Sequence, residues 1–238
     1  MNINDLYDRN YVPYSNEASV ALVQSKQGSW FAGTRIENIS YPLTISAVQN
    51  ALFCCLSEAH QPDVLFTDHP DESTLQCWEK ELNISIELLK KADPPTQHVG
   101  NLGLDEDLHI KKTLHDLLDQ AVVEESNFPV SALVETDRGF YSGVNVECQS
   151  WSLGLCAERI AIAKAFSYGA SAITGLHLHT REGEFSSPCG ACRQVIIEHL
   201  PNCQVHLHHA DGSESVHFSN DLLPHSFQSS SLSKHKTT

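Results

Sequence analysis

Cys156-Ala157-Glu158 and Pro188-Cys189-Gly190-Ala191-Cys192 are the residues of this 238-residue chain whose types and spacing could do chemistry. Each cysteine motif opens a stretch of helical composition. Cys156–Ser167 is rich in Ala, Ile, Glu, Lys and Arg and closes at Tyr168-Gly169, and Cys192–Leu200 starts just after Pro188 and stops at Pro201. A thiol at a helix N-terminus meets free backbone N–H groups and the positive end of the helix dipole, which stabilise its thiolate. Two such ends brought together place three thiolates around one cation. Three protein ligands leave the fourth tetrahedral position of zinc to water, as in a catalytic and not a closed structural site. Glu158, two residues beyond a ligand, can stand beside the metal without binding it and move protons between water and a leaving group. Taken alone, Cys189-Gly-Ala-Cys192 reads equally as a metal pair or a redox pair.

The surrounding pattern predicts the elements that hold these motifs. Leu114, Leu117, Leu118, Ala121 and Val122 have helical spacing and predict a helix from Leu108 to about Glu125. Val130–Thr136 and Gly139–Val146 read as a hairpin, Ile173–Thr180 as a strand, and Val205–His209 and Ser215–Phe218 as further strands. Strands interleaved with helices indicate an α/β sandwich with a mixed sheet. His177, His179, His206, His208 and His209 alternate along these strands; a solvent-facing sheet edge is the expectation, with a second metal site as the alternative. Cys54, Cys55, Cys148 and Cys203 read as small core residues.

The chain also matches itself. Gly33/Gly143, Glu37/Glu147, Ser40/Ser150, Leu43/Leu153 and Ala47/Ala157 are identical at an offset of 110, and Ser15-Asn16 through Ala21-Leu22 matches Ser126-Asn127 through Ala132-Leu133 at 111. Two blocks in one order at nearly one offset predict a duplicated module. The expected organisation is a first copy over residues 1–95, a Pro- and Gly-bearing linker over 96–105, a second copy over 106–227 and a disordered polar tail over 228–238. The first copy lacks the chemistry: Ser46-Ala47-Val48 stand where Cys156-Ala157-Glu158 stand, and Cys77 is alone in its region.

Acidic residues outnumber basic ones 30 to 15, a net charge of −15. Such a surface repels polyanions, and no Lys/Arg cluster offsets it, so nucleic-acid binding and docking on an anionic membrane are excluded as expectations. No apolar run approaches the roughly 20 residues that span a bilayer. The opening segment has neither a basic nor an apolar region of a secretory signal, so a cytoplasmic location with reduced cysteines is expected.

The combined Cys-x-Glu and Pro-Cys-x-x-Cys pattern is that of zinc nucleobase deaminases. Residues 108–227 resemble, over nearly their whole length, the small cytidine deaminases of pyrimidine salvage. The matching pieces are Asn127-Phe-Pro-Val-Ser-Ala-Leu, Asn145-Val-Glu, Cys156-Ala-Glu-Arg-Ile-Ala-Ile, Ser187-Pro-Cys-Gly-Ala-Cys-Arg-Gln and Leu222-Leu-Pro-His-Ser-Phe227. The resemblance implies an α/β fold of two cytidine-deaminase-like modules, each a mixed sheet flanked by helices in an α/β/α sandwich. It implies hydrolytic deamination of free cytidine or deoxycytidine by zinc-activated water. One zinc per chain would be held by Cys156, Cys189 and Cys192, with Glu158 as proton shuttle. Asn145 and Glu147 would hold ribose hydroxyls, Phe128 would stack on the pyrimidine, the Ala157 carbonyl would flank the reacting centre, and Arg159 would donate to the zinc thiolates. Glu147 recurs as Glu37, so a purely structural carboxylate stays open. In the tetrameric relatives neighbouring subunits complete each site. That implies roles for Tyr41 of Tyr41-Pro42-Leu43 and for Phe227, in a homodimer that rebuilds a four-module pseudo-tetramer. Two alternatives stand beside this: an aminohydrolase for another cytosine nucleoside, such as a nucleoside antibiotic, and a zinc-bearing regulatory protein without turnover.

Overall fold

The computed structural model describes the chain apart from residues 71, 91–94, 229–231 and 233–238. The first half runs α1 (Ile3–Asp8), β1 (Val20–Ser25), β2 (Trp30–Thr34), α2 (Ala47–Ser57), β3 (Pro62–Thr67), α3 (Leu75–Leu82) and β4 (Ser85–Leu88). The second runs α4 (Ile110–Leu117), β5 (Val130–Thr136), β6 (Gly139–Val144), α5 (Ala157–Ser167), β7 (Ile173–Thr180), α6 (Gly190–His199), β8 (Gln204–His208) and β9 (Glu214–Phe218). One mixed sheet has the order β2-β1-β3-β4 and the other β6-β5-β7-β8-β9. In each, an antiparallel hairpin precedes an antiparallel third strand, which then pairs in parallel with a fourth. The second sheet adds β9 beyond β8.

Glycine lets a helix lie close on each sheet. A Cβ on Gly33 would stand 2.3 Å from the Ala51 nitrogen of α2, and one on Gly143 2.3 Å from the Ala157 oxygen of α5. Such distances forbid any side chain, so both helices rest backbone to backbone on β2 and β6. Nearly all of α5 is buried, because the second sheet covers one side and the first half of the chain covers the other. One apolar core runs through both halves. Its polar members are paired across the boundary. Asn50 Nδ2 donates to Ser167 Oγ (2.9 Å), the Ala32 N–H donates to the Tyr168 hydroxyl (3.1 Å), and fully buried Lys164 pairs with Glu58. A second, smaller cluster of Leu114, Leu117, Leu133, Phe140 and Val144 seats α4 on the face of the sheet opposite α5.

Three expectations need correction or a boundary. The helix predicted from Leu108 to Glu125 ends at Leu117, followed by a 3-10 turn over Leu118–Gln120. Val122 then runs extended, donating to the Asn145 carbonyl and accepting from the Glu147 N–H, so the apolar spacing of Ala121 and Val122 serves a strand-like bridge. The histidines do not line a solvent-facing edge: His177, His208 and His209 are buried. β9 makes β8 an interior strand, and His177 stacks on His206 at 4.5 Å and contacts His208 Nε2 at 3.2 Å. Of the region read as a linker, Val99 bridges Trp30 and Leu104 bridges Phe140. Residues 91–94 and most of the tail read as disordered lie outside the described residues.

Candidate active site

Cys156 is the N-cap of α5 and Cys189 the N-cap of α6, each in extended backbone conformation, and the Cys189 sulfur accepts from the Cys192 N–H. The helix starts therefore aim three thiols at one point. The Sγ atoms of Cys156, Cys189 and Cys192 lie within 4.8 Å of one another, with Cys156 and Cys189 at 3.8 Å. Zinc–sulfur bonds of about 2.3 Å at tetrahedral angles place sulfurs roughly 3.8 Å apart, so the donor set fits zinc in size, geometry and softness. Among the described residues it is the sole group of three or more His, Cys, Asp or Glu whose ligand atoms converge. The histidine rows do not form a second one.

The three thiols share their protons unevenly. The Cys189 thiol is pulled down to about 2, because its sulfur accepts from the Cys156 and Cys192 thiols and from the N–H groups that open α6. Cys156, donating to Cys189, is pushed up to about 12, and Cys192 is raised as well. Metal binding here displaces the remaining thiol protons. Glu158, in the first turn of α5, is 3% exposed. Burial is the largest influence on its carboxyl and, with the nearby Cys189 charge, raises it to about 7.

Beside Cys156 opens a cavity of about 220 Å³, lined by Asn145, Glu147, Trp151 and Leu155 among others. A larger cavity of about 350 Å³ lies against Tyr11, Ile39 and Glu198 and has no thiol in its wall, so the smaller one is the candidate site. Asn145 is held from two sides: Oδ1 accepts from Val130 N–H (2.8 Å) and Nδ2 donates to the Phe128 carbonyl (2.9 Å). Glu147 accepts from the N–H groups of Glu125 and Ser126 and from the Ser126 hydroxyl. Glu37 does the same for Tyr14, Ser15 and the Ser15 hydroxyl, so this carboxylate ties down the preceding turn in both halves.

The remaining residues fall in different places. Phe128 is exposed, its ring tip 3.9 Å from where a Cβ on Gly183 would lie. Ala157 is fully buried. Tyr41 is 85% exposed and so does not pack in its own core. Phe227 lines the larger cavity, its carbonyl accepting from Gln194. Arg159 is buried, and its Nη2 donates 2.9 Å to the Leu43 carbonyl. Its Nε is buried without a hydrogen-bond partner among the described residues, and no bond from this side chain to the thiols is present among them; the guanidinium instead reaches the first half. Sequence reasoning missed Trp151 as a wall of the site and missed Gln49 and Glu81, which reach the same loop from the first half. The offset of 110, which sets Gln49 opposite Arg159, was the available signal.

A family model for the cytidine and deoxycytidylate deaminase zinc-binding region matches residues 104–205. A cytidine deaminase of Sporosarcina psychrophila is 38% identical over 117 residues, 48% of this chain and 86% of that protein. One of Halalkalibacterium halodurans is 36% identical over 109 residues, 45% of this chain and 83% of that protein. A crystal structure of cytidine deaminase from Burkholderia pseudomallei is 33% identical, covering 50% of this chain and 99% of that one, with a TM-score of 0.47.

Proposed function

The chain belongs to the cytidine deaminase family, and from that premise we propose that its second half hydrolyses free cytidine and deoxycytidine to uridine and deoxyuridine. The observation that carries this reading is the convergence of three thiols from two helix N-termini beside a buried carboxyl. Water adds at C4 of the base, the C4–N4 bond breaks, and ammonia leaves. Zinc held by Cys156, Cys189 and Cys192 supplies the acidity that makes water a nucleophile at neutral pH.

The chain's own groups do the rest. Buried Glu158 takes one proton from water and gives it to N3, then takes the second proton from the oxygen now bonded to C4 and passes it to the departing amine, which leaves as ammonia. The Ala157 carbonyl flanks the reacting centre, and the buried Arg159 cation offsets the surplus negative charge of three thiolates. Glu147 has lone pairs, and Asn145 a second N–H, beyond the bonds that hold the turn, so both can hold ribose hydroxyls while keeping their structural contacts. Their position favours an ordinary ribose over a nucleoside antibiotic. Phe128 offers a stacking face for the pyrimidine. A buried Glu158 favours turnover over a regulatory zinc.

In this reading the protein is a cytoplasmic salvage enzyme with one zinc per chain, in keeping with eight free cysteines. The duplicated halves form a module pair, and two chains assemble as a homodimer of four modules in which exposed Tyr41 and Phe227 complete sites. No helix is long and apolar enough to cross a membrane among the described residues, and the charge of −15 disfavours a polynucleotide substrate. The test is an ultraviolet assay with cytidine, with and without a chelator. A shift to the uridine spectrum that the chelator abolishes supports the proposal; an unchanged spectrum with zinc-loaded protein overturns it.

A further inference from the structure

Hydrogen bonds cross between the two halves in matched pairs. On one side, Glu198 of α6 accepts from the Ile39 N–H (2.8 Å), and Arg159 of α5 donates to the Leu43 carbonyl (2.9 Å). On the other, Glu81 of α3 accepts from the Gln149 N–H (2.8 Å), and Gln49 of α2 donates to the Leu153 carbonyl (2.7 Å). Ile39 and Gln149, Leu43 and Leu153, and Gln49 and Arg159 each stand 110 positions apart. Contacts that return with their roles exchanged are the mark of an isologous two-fold interface, here inside one chain. Each half holds the loop that precedes the other's core helix, from both ends.

The two loops border different things. The one held by Gln49 and Glu81 is a 3-10 turn, Trp151–Leu153, between Glu147 and Cys156, and Glu147, Trp151 and Gly154 all line the 220 Å³ cavity. The loop held by Arg159 and Glu198 leads to Ser46, which has no thiol. Trp151 is 65% exposed, so its ring adds little packing to the turn, and of the three turn residues Leu153 is the one that packs on the core. The turn's internal bonds run from Leu153 to Ser150 and from Gly154 to Trp151, and they leave the Gln149 N–H and the Leu153 carbonyl to the first half.

We propose that Gln49 and Glu81, from the half that has lost the thiols, are positioning residues for deamination: they fix residues 149–153 so that Trp151 and Glu147 present a preformed wall to the nucleoside. The inference rests on the deaminase reading above. It gives the first half a role in substrate binding within its own chain, separate from any contact made by Tyr41. A preformed wall lowers the ordering that substrate must impose, so its loss weakens binding and spares the chemical step.

The experiment uses the full chain with Gln49→Ala, Glu81→Ala and both together. It reads zinc content, kcat and KM for cytidine, and hydrogen exchange by peptide. The double variant is expected to keep its zinc, to raise KM about ten-fold with kcat within about two-fold, and to exchange faster over residues 149–154 alone. Gln49→Arg supplies the donor that Arg159 supplies on the other side and is expected to return KM to within about two-fold of the unaltered chain. Gln49→Glu, which sets an acceptor against a carbonyl, is not. Unchanged KM and exchange in the zinc-loaded double variant would overturn the proposal, as would faster exchange spread over β5 and α5, which marks general loosening. Exchange needs no substrate. If the unaltered chain leaves cytidine untouched, the deaminase reading fails, and exchange then decides the brace: acceleration confined to 149–154 upholds it and uniform acceleration overturns it.

Discussion

Glu158 sits in the first turn of a helix, where backbone dipoles favour its charge, yet burial outweighs them and holds the carboxyl near 7. Burial raises the proton affinity of the carboxyl, which suits a group that takes and returns a proton within one cycle. Glu158→Gln is near-isosteric but cannot accept that proton. It should keep fold and zinc while turnover drops by about 10²–10⁴, measured by steady-state kinetics beside elemental analysis. Undiminished rates would remove Glu158 from the mechanism, and lost zinc would make it a ligand. The thiols allow a complementary test. Replacing Cys189 and Cys192 with alanine together leaves one soft donor and should abolish zinc binding; metal retained in that variant would place the zinc elsewhere.

At the scale of elements, two contacts govern where the thiols stand. A Cβ at Gly143 would fall 2.3 Å from the Ala157 oxygen and 2.6 Å from the Ala161 nitrogen, both backbone atoms of α5. Gly143→Ala must push α5 off β6 and move Cys156 with it. The expected loss is about 3 kcal/mol of stability together with weakened zinc binding, read from urea unfolding and metal content. Stability equal to the parent's would mean that α5 does not rest on this glycine. The histidine rows set a pH limit on the second sheet. Burial, then the His206 and His208 charges, lower His177 from 6.5 to about 4, against the opposing pull of Glu214. Between those values the unfolded chain binds a proton that the folded chain refuses. Stability therefore falls as pH drops from 6.5 to 4, by up to about 1.4 kcal/mol per pH unit from this residue, and His208, shifted the same way, adds to it. Above 6.5 neither contributes a slope. Unfolding midpoints at pH 7, 5.5 and 4.5 should fall less steeply in His177→Phe than in the unaltered chain, the remaining slope belonging to His208 and His199 against the opposite pull of Glu158; an equal slope in that variant would remove His177 from the account.

Across the whole molecule the halves share a core, and a chain beginning at Asp105 would uncover the apolar face of α5 and take away Glu58, the partner of Lys164. Such a chain should either lose activity or assemble into a tetramer that restores the missing faces; a fully active monomer would leave the first half without a role in the site. For the intact protein, exposed Tyr41, Trp151 and Phe227 sit at loops and a chain end, where a second copy can cover them. Light scattering should give about twice the 26.3 kDa chain mass. A mass equal to one chain would overturn the homodimer and the foreign aromatics with it.

What could be read from the sequence was local. The thiol spacing, the start of α5, the bounds of β7 and, to within two residues, the start of α6 and the end of the β5–β6 hairpin follow from local periodicity, and the offset of 110 matches the repeated topology. The family resemblance rested on the same short motifs. What only the tertiary structure decided depended on partners distant in the chain. α4 stops at Leu117 because Val122 finds Val146. His177, His208 and His209 are buried because β9 covers the edge and α4 the face, while His179 and His206 stay half-buried. Glu147 is tied to its turn by Ser126, and the site's outer loop is held by Gln49 and Glu81 from the other half. A side chain's partner across such distances is chosen by how the layers pack, and a one-dimensional pattern of polar and apolar residues does not carry that information.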